Sequence, residues 1–243
     1  MEHIEYNIQN LLNLYATVGK PFNGYASDSA IGYSRIQASE WPNKIWSNEK
    51  LTPDVLQNIK ILIESSKIKM RFVDFEYGGS TNHRFIEQSG FELTNSMPGM
   101  HLKLTNPFET PTRLSFKMVT EMTEAKIWTA VFKQAFGYLI SEDLVLKNLN
   151  KIHFYITFED SKPIGVVKLH RTNNIAGIYS LGVPVAFRGN GYAKEIMHFV
   201  LNKAMQQGAT VATLQASKLG QGMYERMGFK NDFTVHSYKL KTQ

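Results

Sequence analysis

The sequence contains no cysteine, which excludes disulfides, thiol nucleophiles and thiolate metal sites. No stretch approaches the roughly 18 consecutive apolar residues of a membrane span. The N-terminal segment does not read as a signal peptide. Ile4, Ile8, Leu11, Leu12 and Tyr15 recur at helical spacing with polar residues between them, unlike an unbroken apolar run. A cytoplasmic protein without membrane contact is expected. The seven histidines form no H-x₃-H or H-E-x-x-H cluster, so no metal is expected. A compact Lys/Arg block, a zinc signature and a helix-turn-helix signature are all missing, so nucleic acid is not expected as a partner. The net charge of +6 is spread along the chain. It reads either as a solvated basic surface or as attraction for a polyanion.

What is present is a chain of 243 residues, 43% hydrophobic and 20% charged, able to bury a real core and long enough for two domains. In the N-terminal half, a helix over Ile4–Gly19 precedes an irregular stretch, 21–47, that holds Trp41 and Trp46. Thr52 reads as an N-cap with Pro53 at the first helical position, opening a helix to about Ser66. A strand over Ile68–Phe75, a turn at Gly78-Gly79, a short helix stopped by Gly90 and a strand pair or broken strand over Phe91–Leu104 follow. The segment 106–112, with two prolines and no periodicity, is the natural linker. It gives lobes of 1–107 and 113–243. The C-terminal half reads as strand 114–119, helices 123–136 and 141–150, strands 152–158, 163–170 and 177–183, helix 191–207, strand 210–216, helix 219–227 and strand 229–240. Three antiparallel strands thus lead into a parallel strand–helix–strand crossover, and a mixed α/β sheet flanked by helices is expected.

The most specific local signal is Arg188-Gly189-Asn190-Gly191-Tyr192-Ala193, between an apolar strand and an amphipathic helix. Glycines allow a turn whose N–H groups converge on a phosphate, and the helix that follows adds free N–H groups and the positive end of its dipole. A plain strand-to-helix turn has the same look. A dinucleotide-binding fingerprint does not fit, because the third glycine is missing and the loop follows the fourth strand of its half.

Arg188-x-x-Gly191-x-Ala193 resembles the acyl-CoA pyrophosphate loop of the GNAT acetyltransferase superfamily. The preceding Ser180-Leu181-Gly182-Val183-Pro184-Val185 is similar to that family's fourth strand. Ala216-Ser217-Lys218-Leu219-Gly220 and Met223-Tyr224-Glu225-Arg226-Met227-Gly228-Phe229 are similar to its fifth strand and the segment after it. The resemblance covers Leu114 to Leu240. It implies an N-acetyltransferase with acetyl-CoA as co-substrate and an amine-bearing acceptor; the alternative is a non-catalytic acyl-CoA-binding protein of the same fold. It also implies a cleft between the fourth and fifth strands. On that model the N–H groups of Val183 and Val185 face the cofactor, and the backbone of Arg188, Gly189, Asn190, Gly191, Tyr192 and Ala193 holds the pyrophosphate. Tyr224 protonates the departing thiolate, and the Val183 N–H stabilises the oxyanion. Ser217 faces the cleft and either bonds a ligand or caps the helix from Leu219.

The general base is less legible. Many relatives place a glutamate on the fourth strand, but 176–185 contains no acid, and only Tyr179 and Ser180 are polar there. Glu159, His170, a C-terminal carboxylate or water are the remaining candidates. The N-terminal half resembles a faded copy. Ile86-Glu87-Gln88-Ser89-Gly90-Phe91 parallels Tyr224-Glu225-Arg226-Met227-Gly228-Phe229, and His101-Leu102-Lys103-Leu104 parallels Ser237-Tyr238-Lys239-Leu240. Ile86 stands where the tyrosine would be, and no matching glycine loop lies in the first 110 residues. Such a copy is expected to shape the substrate side of the cleft, with Trp41, Trp46, Tyr33 and Arg35 as candidate walls.

Overall fold

The computed structural model describes residues 2–79, 81–110 and 112–241. In chain order the elements are α1 (Glu2–Gly19), β1 (Tyr25–Ser27), β2 (Ile31–Ser34), β3 (Lys44–Ser47), α2 (Pro53–Ser65), β4 (Arg71–Glu76), α3 (His83–Gln88) and β5 (Phe91–Lys103). The second half adds β6 (Ser115–Met118), α4 (Met122–Phe136), α5 (Glu142–Lys147), β7 (Ile152–Glu159), β8 (Lys162–Thr172), β9 (Ile175–Gly182), α6 (Tyr192–Gln206), β10 (Val211–Gln215), α7 (Gln221–Arg226) and β11 (Lys230–Leu240). Among the described residues no helix is long and apolar enough to cross a membrane.

All eleven strands join one mixed sheet, ordered β1-β2-β3-β4-β11-β5-β10-β9-β8-β7-β6. The order has an internal symmetry. In each half a parallel pair three residues long, β3 with β4 and β9 with β10, is followed by an antiparallel partner taken from the other half. β11 pairs with β4 and β5 pairs with β10. β5 and β11 then pair with each other along most of their length. Segments 1–107 and 113–243 therefore share a sheet through exchanged strands. The turns into β5 and β11 are alike as well. Gly90 (φ 94°) and Gly228 (φ 92°) both take the left-handed conformation that ends a helix at low cost. Phe91 and Phe229 are buried directly behind them.

Two expectations from sequence need correction. The stretch 21–47 is not irregular: it carries β1, β2 and β3. Each is only three or four residues long, too short to show a period amid Gly, Ser and Asn. Phe91–Lys103 is one strand rather than a broken pair, because β11 pairs with it from Phe91 to His101 and β10 from Gly99 to Lys103, so Pro98, opposite Thr234, does not interrupt it. Thr52 does cap α2, its hydroxyl accepting from the Val55 N–H at 3.3 Å.

α1 crosses the face of the sheet, touching strands of both halves. It buries Leu11, Leu14 and Val18 but also Asn7 and Asn10. Those amides are fully used. Asn7 Nδ2 donates to the Met100 carbonyl and Asn10 Nδ2 to Thr172 Oγ1, while Asn10 Oδ1 accepts from the Tyr179 hydroxyl at 2.6 Å. Buried polar groups satisfied in this way cost little and fix one docking register.

Candidate active site

β9 and β10 pair only at Ile175–Gly177 with Val211–Thr213. Beyond that point β10 stays with β5 as far as Gln215, and β9 stays with β8 as far as Gly182. The β8–β9 register slips by one residue between Lys168–Tyr179 and Val166–Gly182. Ser180 sits within that slip with φ 51°. A bulge of this kind bends a strand, and here it falls where the two parallel strands part. The result is a cleft of about 170 Å³. It is lined from β9 by Ile178, Tyr179, Ser180 and Leu181, and from β10 and its exit by Leu214, Gln215 and Ser217. Tyr224 of α7 closes one side. Leu11, Tyr15, Trp41, Met97, Phe136 and Tyr138 form the rest.

Tyr224 is buried and its ring packs edge-on to Phe229. Burial pushes its hydroxyl up to about 12, so it remains protonated through the physiological range. Ser217 is exposed at the cleft, and its hydroxyl also accepts from the Gly220 N–H at 3.3 Å. That contact closes the turn ahead of α7, whose N-cap is Gly220 without a side-chain cap, so Ser217 is not the N-cap of the helix expected from Leu219.

The glycine loop continues from the end of β9. Gly189 and Gly191 have φ of 87° and 80°, a region where side chains are strained. A Cβ on Gly189 would meet nothing within 4 Å, so conformation rather than crowding requires glycine there. Gly191 is the N-cap of α6 and has no side chain with which to close the helix end. Among the described residues the N–H groups of Gly189, Asn190, Gly191, Tyr192 and Ala193 find no acceptor. Five such donors ahead of a fifteen-residue helix form a cradle for an anion.

Side chains around the loop brace it. The exposed Arg188 guanidinium donates to the carbonyls of Val183 and Ala135, each at 3.0 Å, tying the loop to the end of β9 and to α4. Its charge stays beside the cradle while two of its donors are committed to the fold. Val183 is buried. Val185 is 69% exposed in a short 3₁₀ turn, and its N–H has no acceptor among the described residues. Arg113 donates to the Asn190 carbonyl at 2.6 Å and stacks over Tyr192 at 4.6 Å. The Tyr192 hydroxyl in turn bonds Glu159.

Of the base candidates, Glu159 is thus occupied beside the loop and does not line the cleft. His170 lies beneath α1, with Nε2 2.8 Å from Asn13 Oδ1, and burial lowers its pKa to about 4. It is a structural histidine. No carboxylate or imidazole appears among the cleft-lining residues. Of the proposed walls, Trp41 lines the cleft. Trp46 is in the core, bonded to Asn48, and Tyr33 and Arg35 stack on each other elsewhere. Sequence reasoning missed Leu11, Tyr15, Met97, Phe136 and Tyr138, which arrive from α1, β5 and the end of α4 across the sheet. The aromatic run Phe132, Phe136 and Tyr138 was the one local sign. Among the described residues no group of His, Asp and Glu side chains could hold a metal ion.

A mixed sheet whose two central parallel strands splay beside a glycine loop that opens a helix defines the GNAT acyltransferase fold. The model of the acetyltransferase (GNAT) domain matches residues 118–238, and the chain is a member of the GNAT superfamily. No curated protein sequence matches the chain significantly. Among solved structures it is similar to a GCN5-related N-acetyltransferase from Kribbella flavida, with TM-score 0.72 and 14% identity over 98% of this chain and 96% of that one. A GCN5-related N-acetyltransferase from Sphaerobacter thermophilus has TM-score 0.63 and 16% identity, over 88% of this chain and 78% of that one. A conserved protein of unknown function from Staphylococcus epidermidis gives TM-score 0.63 and 16% identity, over 89% and 93%. At these identities the likeness is one of fold.

Proposed function

We propose that the protein transfers an acetyl group from acetyl-CoA to an amine by direct attack. The observation that carries this reading is the row of five unpaired N–H groups behind Gly189 and Gly191, which continues from a cleft containing a protonated tyrosine. The pyrophosphate of the cofactor occupies the row. The pantetheine arm runs along the free side of β9 toward Ser180, past Val183 and Val185. In the reaction a C–N bond forms and the C–S bond breaks. Tyr224 donates a proton to the leaving sulfur, and the Val183 N–H faces the oxyanion. Segment 1–107 acts as a second, degenerate lobe of the same ancestry. The exchange of β5 and β11 and the matching turns at Gly90 and Gly228 support that view. Its contribution is Leu11, Tyr15, Trp41 and Met97 on the acceptor side.

The lack of a carboxylate or imidazole in the cleft favours a second reading, a non-catalytic acyl-CoA-binding protein. Isothermal titration with acetyl-CoA, CoA and NADH, repeated on Gly191→Trp, tests both. Acetyl-CoA and CoA are expected to bind and NADH to fail. The variant, strained at φ 80° and blocked at the cradle, is expected to lose affinity by at least about tenfold, equivalent to roughly 1.4 kcal/mol. Failure of the unaltered chain to bind either CoA species would sink both readings. Binding without transfer to any amine would select the second.

A further inference from the structure

The acceptor end of the cleft is walled by Tyr15, Trp41, Phe136, Tyr138, Tyr179 and Tyr224. None of these is a base near neutral pH. Burial raises the phenols of Tyr15, Tyr179 and Tyr224, and burial followed by the charge of Glu40 raises that of Tyr138. Glu40 itself is exposed, outside the lining, and its carboxylate accepts from the Leu139 N–H at 2.5 Å. Lys168 of β8 is fully buried, with Nζ 3.5 Å from the centre of the Trp41 ring and no hydrogen-bond partner among the described residues. It is sealed off behind the wall and offers an acceptor no negative charge in either protonation state.

The protons of the reaction decide what such a site can use. An ammonium must lose two protons to become an amide, whereas the departing sulfur takes only one. The surplus requires a base. A neutral primary amine that forms an amide loses one proton, and the sulfur gains one. Tyr224 passes its proton to the sulfur and is recharged from the attacking nitrogen, so the site closes its own proton balance. An alkylamine with a lysine-like pKa of about 10.4 is neutral in only about one molecule in 2,500 at pH 7. An aniline-type nitrogen is neutral there throughout. The walls agree with this choice. Aromatic rings favour edge and face contacts with another ring, and a dry apolar cavity of about 150 Å³ takes up one benzene-sized molecule. The cleft, at about 170 Å³, must also admit the thioester, which limits the acceptor to about one ring.

Building on the acetyltransferase reading above, we infer that the acceptor is a compact, weakly basic aromatic amine that enters the cleft unprotonated and is held between Trp41, Tyr15 and Phe136.

The test compares 4-methylaniline with phenethylamine and butylamine as acceptors. CoA release is followed with a thiol-reactive disulfide, and because the chain has no cysteine the whole signal comes from CoA. Binding of acetyl-CoA is measured separately by titration. For 4-methylaniline we expect a kcat/KM at pH 7 at least about 10² above either alkylamine, and constant within about threefold from pH 6.5 to 9. For the alkylamines it is expected to climb about tenfold per pH unit, following the free-base fraction. Trp41→Leu and Phe136→Leu are each expected to raise KM for 4-methylaniline at least about tenfold while leaving acetyl-CoA affinity unchanged. An alkylamine preferred at pH 7 would overturn the inference, as would no change of KM in both variants. Acetyl-CoA binding with no transfer to 4-methylaniline also overturns it while the cofactor site stands. Absence of acetyl-CoA binding removes the acetyltransferase reading itself.

Discussion

The two halves of the sheet contain the same arrangement, a short parallel pair whose strands are joined by a helix, and enter that helix in opposite ways. After β3 the chain enters α2 through Thr52-Pro53. The Thr52 hydroxyl accepts from the Val55 N–H and Pro53 has no N–H to offer, so the helix end is closed from within. After β9 the chain enters α6 through Gly191, which has no side chain, and five N–H groups find no acceptor among the described residues. The short helices differ in the same sense. Ile86 of α3 is fully buried in an apolar cluster with Phe72, Phe91 and Tyr238, whereas Tyr224 of α7 reaches the cleft. One half spends its local bonds on stability. The other leaves them unspent, and unspent donors are what a ligand can use.

The sharpest way to break this comparison is at the reacting group. Tyr224→Phe removes one hydroxyl from the cleft wall. It is expected to lower kcat by about 10²–10⁴ while acetyl-CoA affinity, read by titration, stays the same. With Tyr224 pushed up to about 12, the rate of the unaltered chain is expected to show no alkaline fall until pH is well past the ordinary tyrosine pKa of about 10. A fall beginning near neutrality would assign the proton to another group.

Most of this contrast was legible in the sequence, because it is written in short-range chemistry. Gly189 and Gly191 announce left-handed turns, Thr52-Pro53 announces a closed helix, and Ile86 falls opposite Tyr224 when one half is aligned against the other. The cleft walls were not legible. Tyr15, Met97 and Tyr138 meet only because α1 lies across the sheet and β5 is inserted between β10 and β11. No local pattern encodes such a crossing. The helical spacing of Ile4, Ile8 and Leu11 gave the element correctly but concealed that Asn7 and Asn10 on the same helix are fully buried. Their partners, Met100 and Thr172, lie 93 and 162 residues away. Base candidates chosen by type alone, Glu159 and His170, proved to be spent on Tyr192 and Asn13.

A smaller effect is expected from placing a tyrosine in the closed half. Ile86→Tyr puts a larger ring and a hydroxyl into a fully buried position within an apolar cluster. Overpacking is expected to cost about 1–3 kcal/mol, read as a shift in the denaturant midpoint at constant m. No second equivalent of acetyl-CoA should bind, because the tyrosine is only one part of the site and the cradle is still missing. Appearance of a second equivalent would mean that the N-terminal half retains more of the cofactor site than its helix ends suggest.

The smallest effect isolates the cap. Thr52→Ala leaves the Val55 N–H without its side-chain acceptor and is expected to lower stability by about 0.5–2 kcal/mol. For a chain of this size that corresponds to a fall in Tm of roughly 2–4 °C per kcal/mol. Binding at the other half should be unchanged, since α2 and α6 lie on opposite flanks of the exchanged strands β11 and β5. Opening one donor does not make a cradle. Pro53 still contributes no N–H, and residues 48–52 between β3 and α2 contain no glycine to fold the chain back over an anion. If the variant nevertheless gained a second site for acetyl-CoA, a free helix end alone would suffice for binding, and the left-handed glycines at 189 and 191 would be dispensable. If only stability changes, the open loop geometry rather than the helix end separates the two halves.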